Sequence, residues 1–321
     1  MATTEQLKSL IRSHVDDDRE RFLTIALQVA AHEAKLGRSE IAHDIRKLVD
    51  QAKAPDTNVL PFKREFSDLI LTAAPKERLA SMILSEDRRK RIERIIREYH
   101  QQSKLKQHGL SNRRKILLAG PPGTGKTMTA MVLAGELHLP LYTILMDKLI
   151  TKFMGETSAK LRQIFDIIRQ RRGVYLFDEF DAIGAERGLP NDVGEMRRVL
   201  NSFLQFIEQD SSESLIIAAT NNVKMLDHAL FRRFDDILHY DLPSLLEIQN
   251  LIANRLGQFL PKRMSLGSAA SMAKSLSHAE VGQACDDAIK DAILSGKQSV
   301  SVARLKDMLR ERQSVYRKNH E

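Results

Sequence analysis

Gly120-Pro-Pro-Gly-Thr-Gly-Lys126-Thr127 follows the apolar run Ile116–Ala119 and leads into a helix-forming stretch, Met128 to Leu137. Glycines 120, 123 and 125 allow the backbone to curl until successive N–H groups point inward. Such a nest binds anions, and a helix starting near Lys126 adds its positive N-terminal end. Strand, glycine loop and helix are the context in which the pattern G-x-x-x-x-G-K-[ST] has a mechanism. Pro122, Gly123, Thr124, Gly125, Lys126, Thr127 and Met128 are therefore expected to wrap the phosphates of a nucleotide. Lys126 would reach the β and γ phosphates, and the Thr127 hydroxyl would hold a magnesium ion. Further on, Val174-Tyr-Leu-Phe177 is an apolar run ending in the acids Asp178, Glu179 and Asp181. Strands of an open α/β sheet deliver functional groups at their carboxyl ends. Asp178 is placed to bind the same magnesium ion, and Glu179 to orient and activate an attacking water.

These groups need a scaffold. From Lys115 onward apolar runs alternate with helical stretches, and five strands are read: 116–119, 141–145, 174–177, 215–219 and 237–240. That alternation predicts an α/β fold, a parallel five-stranded sheet with helices on both faces. After Pro243 the strands stop and four helices are expected, punctuated by Gly257, Pro261, Gly267 and Gly296. Residues 1–53 read as three short amphipathic helices. The second carries Phe22, Ile25, Ala26, Val29 and Ala30 on one face and stops at Leu36-Gly37, and the third carries Ile41, Ile45, Leu48 and Val49. Pro55, Pro61 and Pro75 mark a linker without sustained period, and Ser85 opens a long helix through Ile92, Ile95, Ile96 and Tyr99 that ends near Gly109. The expected organisation is a helical module over 1–53, a linker over 54–80, an α/β core over 81–243 and a helical lid over 244–321.

Size and composition fit this plan. A chain of 321 residues has room for two or three compact units, and 29% charged with 42% hydrophobic residues is an ordinary globular balance. No apolar stretch is long enough to span a membrane, and the N-terminus has no basic-then-apolar leader, so a cytoplasmic location is expected. Cys285 is the single cysteine and reads as a small buried hydrophobe. The histidines are scattered, with no pair at metal-ligand spacing. The net charge of +8 raises nucleic acid as a partner. Yet the basic residues gather in Asp87–Arg97 and Asn112–Lys115 without interleaved aromatics or a reading-helix motif, so a solvated helix face, or a surface meeting acidic neighbours or nucleotide, is the favoured account.

Taken together, the phosphate loop and the acidic strand end resemble the AAA family, the ring-forming branch of P-loop ATPases, over about 81–310. The resemblance implies Mg-dependent ATP hydrolysis and assigns further roles. Asn221, in Ile217-Ala-Ala-Thr220-Asn221-Asn222, falls at the polar sensor that holds the attacking water and the γ phosphate. Asp227-His-Ala-Leu-Phe-Arg232-Arg233 resembles the second region of homology, whose arginines reach into the neighbouring subunit's ATP site. Family members commonly separate those arginines by two residues; here they are adjacent, so Arg232, Arg233 or both could act, and pairing with Asp235 or Asp236 is the alternative for one of them. Lys152-Phe153-Met154-Gly155-Glu156 matches the pore loop that grips an extended polypeptide, and Glu186–Glu195 would form a second pore loop. His278-Ala279 lies in the lid segment next to adenine, and Met82-Ile83 would form the pocket's other wall.

By that resemblance the chain assembles as a homo-oligomer, a ring of six, and unfolds, threads or remodels a protein or peptide substrate through its central pore. No protease signature is present, so degradation would need a separate protease as partner; compact bacterial members of this kind are found beside a subtilisin-like protease. Two rival readings are a nucleotide-gated scaffold or signalling switch, and a DNA-associated loader.

Overall fold

The computed structural model of the chain describes residues 4–15, 19–53, 68–150, 154–183, 190–222, 231–261 and 265–317. Contacts divide the chain into two compact units, one of residues 1–60 with 101–111, the other of residues 61–100 with 112–321.

In the first unit, helices span Thr4–Val15, Arg19–Lys35 and Ser39–Lys53, joined by a short helix Gln102–Gln107. The middle helix packs against both of its neighbours. It buries Ile25, Ala26, Val29 and Ala30, and the third helix contributes Ala42 and Val49. Its stop is the expected one: Gly37 takes a left-handed φ of 79°, and the Arg38 N–H returns to the Glu33 carbonyl at 3.1 Å. Ile41 and Leu48, among the apolar positions read on the third helix, are exposed, as are Leu7 and Ile11 of the first helix.

The second unit is built on one sheet. Its strands are β1 (Ile70–Ala73), β2 (Lys115–Ala119), β3 (Leu141–Ile144), β4 (Val174–Phe177), β5 (Leu215–Thr220) and β6 (Asp236–His239). Their order is β1-β3-β4-β5-β2-β6, with every pair parallel except β1 against β3. The five parallel strands are the five read from the sequence. The sixth corrects that reading, since β1 lies inside the supposed linker, where Leu79–Ser81 also forms a 3-10 turn. Only the first residue of β1 is buried, so it has no apolar run to reveal it, and its order comes from pairing with β3.

β2, β4 and β5 are buried almost throughout, as central parallel strands covered on both faces must be. Phe165, Phe177, Phe180 and Phe203 pack together on one face, and the Lys126–Leu137 helix buries Val132, Leu133 and Ala134. A second correction concerns the long helix. It runs Glu86–His100 and breaks at Gln101, whose φ of −107° and ψ of 19° are not helical. No glycine or proline marks that break.

The four C-terminal helices are Leu245–Leu256, Gly267–Met272, His278–Leu294 and Val302–Arg317. Two begin with reciprocal capping boxes, Ser244 with Glu247 and Ser277 with Glu280. They share a core of Ile248, Ile252, Leu256, Val281, Ala284, Cys285 and Leu309. Burial there pushes the Cys285 thiol up to about 12, as suits an inert small hydrophobe.

Candidate functional site

The sheet order makes neighbours of β4, β5 and β2, so their carboxyl ends lie side by side. Those ends lead into Asp178, Asn221 and the glycine loop. Backbone bonds hold the edge together: Gly120 N–H donates to Thr220 O at 3.2 Å, and Asn221 N–H donates to Asp181 Oδ1 at 3.1 Å.

Two glycines of the loop are required by close approach. A Cβ on Gly120 would lie 2.1 Å from the Tyr240 carbonyl oxygen, and Gly120 has a φ of 153°. At Gly123, with φ of 71°, a Cβ would lie 2.6 Å from Ser277 Oγ and 3.2 Å from the Ala279 Cβ. The lid is thus seated against the loop, and Ala279 N–H donates to Gly123 O at 3.0 Å. Pro122 and Met128 are exposed on the loop and the first helical turn, while Thr124 is buried and donates to Pro121 O at 2.7 Å. On the other flank, Met82 is buried with its methyl 3.7 Å from where a Gly125 Cβ would stand, and Ile83 is half-buried. Met82-Ile83 and His278-Ala279 are therefore brought to the same loop.

Lys126 is buried, and its ammonium donates to the carbonyls of Gly120 and Pro121, each at 2.8 Å. Burial lowers its pKa from the ordinary lysine value, and the carboxylates of Asp178 and Asp181 pull it back up. Thr127 Oγ1 donates to Asp178 Oδ2 at 2.7 Å. A hydroxyl and a carboxylate oxygen converging in this way fit a hard cation that takes oxygen ligands, as magnesium does. Glu179 is exposed and has a left-handed φ of 53°, a conformation that disfavours side chains and concentrates at functional sites. Its own N–H donates to Asp178 Oδ1 at 3.0 Å, and its carbonyl accepts from Ala182 N–H at 2.8 Å.

Of the adjacent arginines, Arg233 pairs with Glu208 at 3.2 Å, whereas Arg232 is exposed with no partner among the described residues. Asp235 and Asp236 have other partners among the described residues. Asp235 accepts the backbone N–H groups of Arg114 and Lys115, each at 2.9 Å, and Asp236 pairs with Arg91. The basic stretches are largely consumed in the same manner: Arg88 with Glu247, Lys90 with Glu86, Arg113 with Glu98 and Arg114 with Asp210.

Phe153 lies outside the described residues, and Met154 and Gly155 begin the Met154–Gln170 helix. Of the second pore stretch, residues 184–189 are likewise outside, while 190–195 belong to the Pro190–Gln209 helix. Two residues to which no motif drew attention join the site, beside Asp181, the third acid after β4. Asp181 accepts the Asn221 N–H at the end of β5, Thr129 donates to Gly125 O at 3.0 Å, and Tyr240 meets Thr129 through its hydroxyl. Tyr240 could not have been singled out by type or spacing, because its partners are brought to it only by the sheet order.

The family model described as "ATPase family associated with various cellular activities (AAA)" matches residues 116–242. The chain is 32% identical over 310 residues to an uncharacterized AAA family ATPase, y4kL, of Sinorhizobium fredii, covering 94% of this chain and 92% of that one. It is 33% identical over 196 residues to the ATP-dependent zinc metalloprotease FtsH 2 of Sorangium cellulosum, covering 58% of this chain and 32% of the relative. It is also 31% identical over 191 residues to the AAA domain-containing protein ycf46 of Trieres chinensis, covering 58% and 38%. The chain therefore spans about a third of the length of these last two relatives.

Proposed function

The chain belongs to the AAA family of ATPases and is an ATP-hydrolysing enzyme, and from that premise we propose that it works as a ring, unfolding, threading or remodelling a protein substrate with each ATP cycle. The observation that carries this reading is the meeting of Lys126, Thr127, Asp178, Glu179 and Asn221 at the ends of three adjacent strands.

In the proposed mechanism the inward N–H groups of 123–127 receive the triphosphate, and Lys126 exchanges its two carbonyl partners for phosphate oxygens. Thr127 and Asp178 would hold magnesium, which supplies positive charge to the phosphates. Glu179 accepts a proton from the attacking water, its position set by the left-handed turn after β4. Asn221 orients that water, tied through its N–H to Asp181. Met82-Ile83 and His278-Ala279 form the walls against the base. Arg232 is the arginine we assign to the neighbour's site, because Arg233 is held by Glu208 and Arg232 is exposed with no partner among the described residues. A guanidinium given in trans requires a neighbouring subunit, and a ring of six is the proposed assembly.

Phe153, Met154 and Gly155 are assigned to grip the polypeptide in the pore. Residues 1–53 are proposed as a partner-contacting module, supported by the exposed Leu7, Ile11, Ile41 and Leu48. Degradation of the substrate would fall to a separate protease. A DNA-loading role has less support, since Arg88, Arg91, Arg113 and Arg114 are engaged in ion pairs within the fold. No helix among the described residues is long and apolar enough to cross a membrane, and we place the protein in the cytoplasm. The test combines sedimentation of Glu179→Gln with ATP and magnesium, expected to give a closed oligomer, with the response of turnover to an unfolded model protein. Stimulation that is lost in Phe153→Ala supports threading; a monomer under ATP, or turnover indifferent to any polypeptide, rejects it.

A further inference from the structure

Arg88 belongs to no nucleotide motif, yet it is buried at the centre of a polar cluster. Its Nε donates to Ser85 Oγ at 2.8 Å, its Nη2 stands 3.5 Å from Glu247 Oε1, and its guanidinium lies 5.4 Å above the Tyr240 ring. Arg88 Nη1, Glu247 Oε1 and both ring nitrogens of His278 are buried without a hydrogen-bond partner. Glu247 is fixed to the lid, since its other oxygen accepts Ser244 N–H at 2.8 Å in the cap of the Leu245–Leu256 helix.

Tyr240 is fixed to the phosphate loop. Its N–H donates to Ala119 O at 2.7 Å, and its carbonyl is the atom that excludes a Cβ from Gly120. The direction of its side-chain bond follows from counting protons. Thr129 Oγ1 spends its single proton on Gly125 O, so the Tyr240 hydroxyl must donate to Thr129 Oγ1. Gly125 is the left-handed residue that starts the Lys126–Leu137 helix. A chain of contacts thus runs from Glu247 through Arg88, Tyr240 and Thr129 to Gly125.

A buried ion pair adds little net stability over apolar side chains of similar volume, and its best-attested use is to fix register between elements. Here the elements are the lid and the phosphate loop. We infer that Arg88 is a positioning residue that couples the lid to the phosphate loop, so that nucleotide in the loop and the seating of Ala279 on Gly123 favour one another. The inference rests on the reading of this cleft as a nucleotide site.

Two variants of the full chain test it. Arg88→Met with Glu247→Leu replaces the pair by apolar side chains and leaves no lone buried charge. Tyr240→Phe keeps the ring beneath Arg88 and removes only the donor to Thr129. The readouts are the Kd of a non-hydrolysable ATP analogue and hydrogen exchange at the Ala279 amide. In the parent, nucleotide should slow Ala279 exchange by roughly tenfold, within the usual range of coupling between sites. The double variant should lose most of that slowing and bind the analogue roughly tenfold more weakly while the sheet amides stay protected, and Tyr240→Phe should move both readouts the same way by about threefold. Unchanged Kd and unchanged Ala279 slowing in either variant overturn the inference, and Tyr240→Phe decides alone if the double variant does not fold. A parent protein that binds no nucleotide would instead remove the ATPase reading itself.

Discussion

The Thr127 hydroxyl, at the start of the helix after the glycine loop, donates to Asp178 Oδ2 at 2.7 Å, at the end of β4. Two elements that are not sheet neighbours, since β5 lies between β2 and β4, thereby present oxygens to one point. The bond also fixes which carboxylate oxygen faces the hydroxyl, because Asp178 Oδ1 is occupied by the Glu179 N–H at 3.0 Å.

Asp178→Asn keeps the size of the side chain and removes the charge that a magnesium ion would meet. Magnesium should tighten ATP binding in the parent and do so far less in the variant, and turnover should fall by roughly 10²-fold or more. Titrations of ATP with magnesium and with EDTA check the first, and phosphate release the second. Equal magnesium dependence in both proteins would remove Asp178 from the metal site.

Glu179 carries a conformational cost as well as a chemical role. At φ of 53° a Cβ is disfavoured by about 1–2 kcal/mol, so Glu179→Gly should be more stable than Glu179→Ala by about 1 kcal/mol. Glu179→Gln should instead keep ATP binding while turnover falls by roughly 10²–10⁴-fold. Thermal melts and single-turnover hydrolysis separate the two effects. Turnover surviving in Glu179→Gln would assign the proton to another group.

Arg232 and Arg233 are adjacent in sequence and differ in surroundings. Arg233 is tied to Glu208, while Arg232 is exposed without a partner among the described residues. Arg232→Ala should lower turnover by roughly 10³-fold or more and leave ATP binding in place. Arg233→Ala removes a half-exposed pair worth about 0.2–1 kcal/mol and should be mild. Mixing Arg232→Ala subunits with Lys126→Ala subunits should restore part of the activity, because each supplies what the other's interface lacks. No recovery on mixing would place the arginine's action within its own chain.

The legible parts of this protein are those encoded by local pattern. β2, β4 and β5 read correctly because central parallel strands are continuous apolar runs, and the glycine loop because positive φ and close approach demand glycine at fixed spacings. β1 was hidden because an edge strand with one buried residue owes its order to its partner. The break at Gln101 was hidden for a related reason, as no residue there disfavours helix. Ile41 and Leu48 show the converse limit: helical spacing gives an apolar face, and only the neighbouring helices decide whether it is covered. At the site, Asp178 and Glu179 announce themselves as acids ending an apolar strand. Thr129, Tyr240 and Arg88 do not, since their meaning lies in partners that are 111 and 159 positions away in the contacts Thr129–Tyr240 and Arg88–Glu247.

His278 brings pH into this cluster. Burial lowers the pKa of its imidazole from the ordinary value, with Arg88 acting in the same direction and Glu247 opposing. The folded protein therefore binds fewer protons at His278 than the unfolded chain does. The corresponding stability is fully present above the unfolded value of about 6.5 and is lost as pH falls from there through the depressed folded value. Melting temperature should then decline between pH 7 and pH 5 more steeply in the parent than in His278→Gln, whose amide cannot charge. A protonated imidazole would also be drawn to Glu247 and away from Arg88, loosening the pair that holds the lid, so the Ala279 amide should exchange faster at the acid end of that range. Parallel melting curves for parent and variant would mean that His278 does not titrate on folding and that the acid response arises elsewhere.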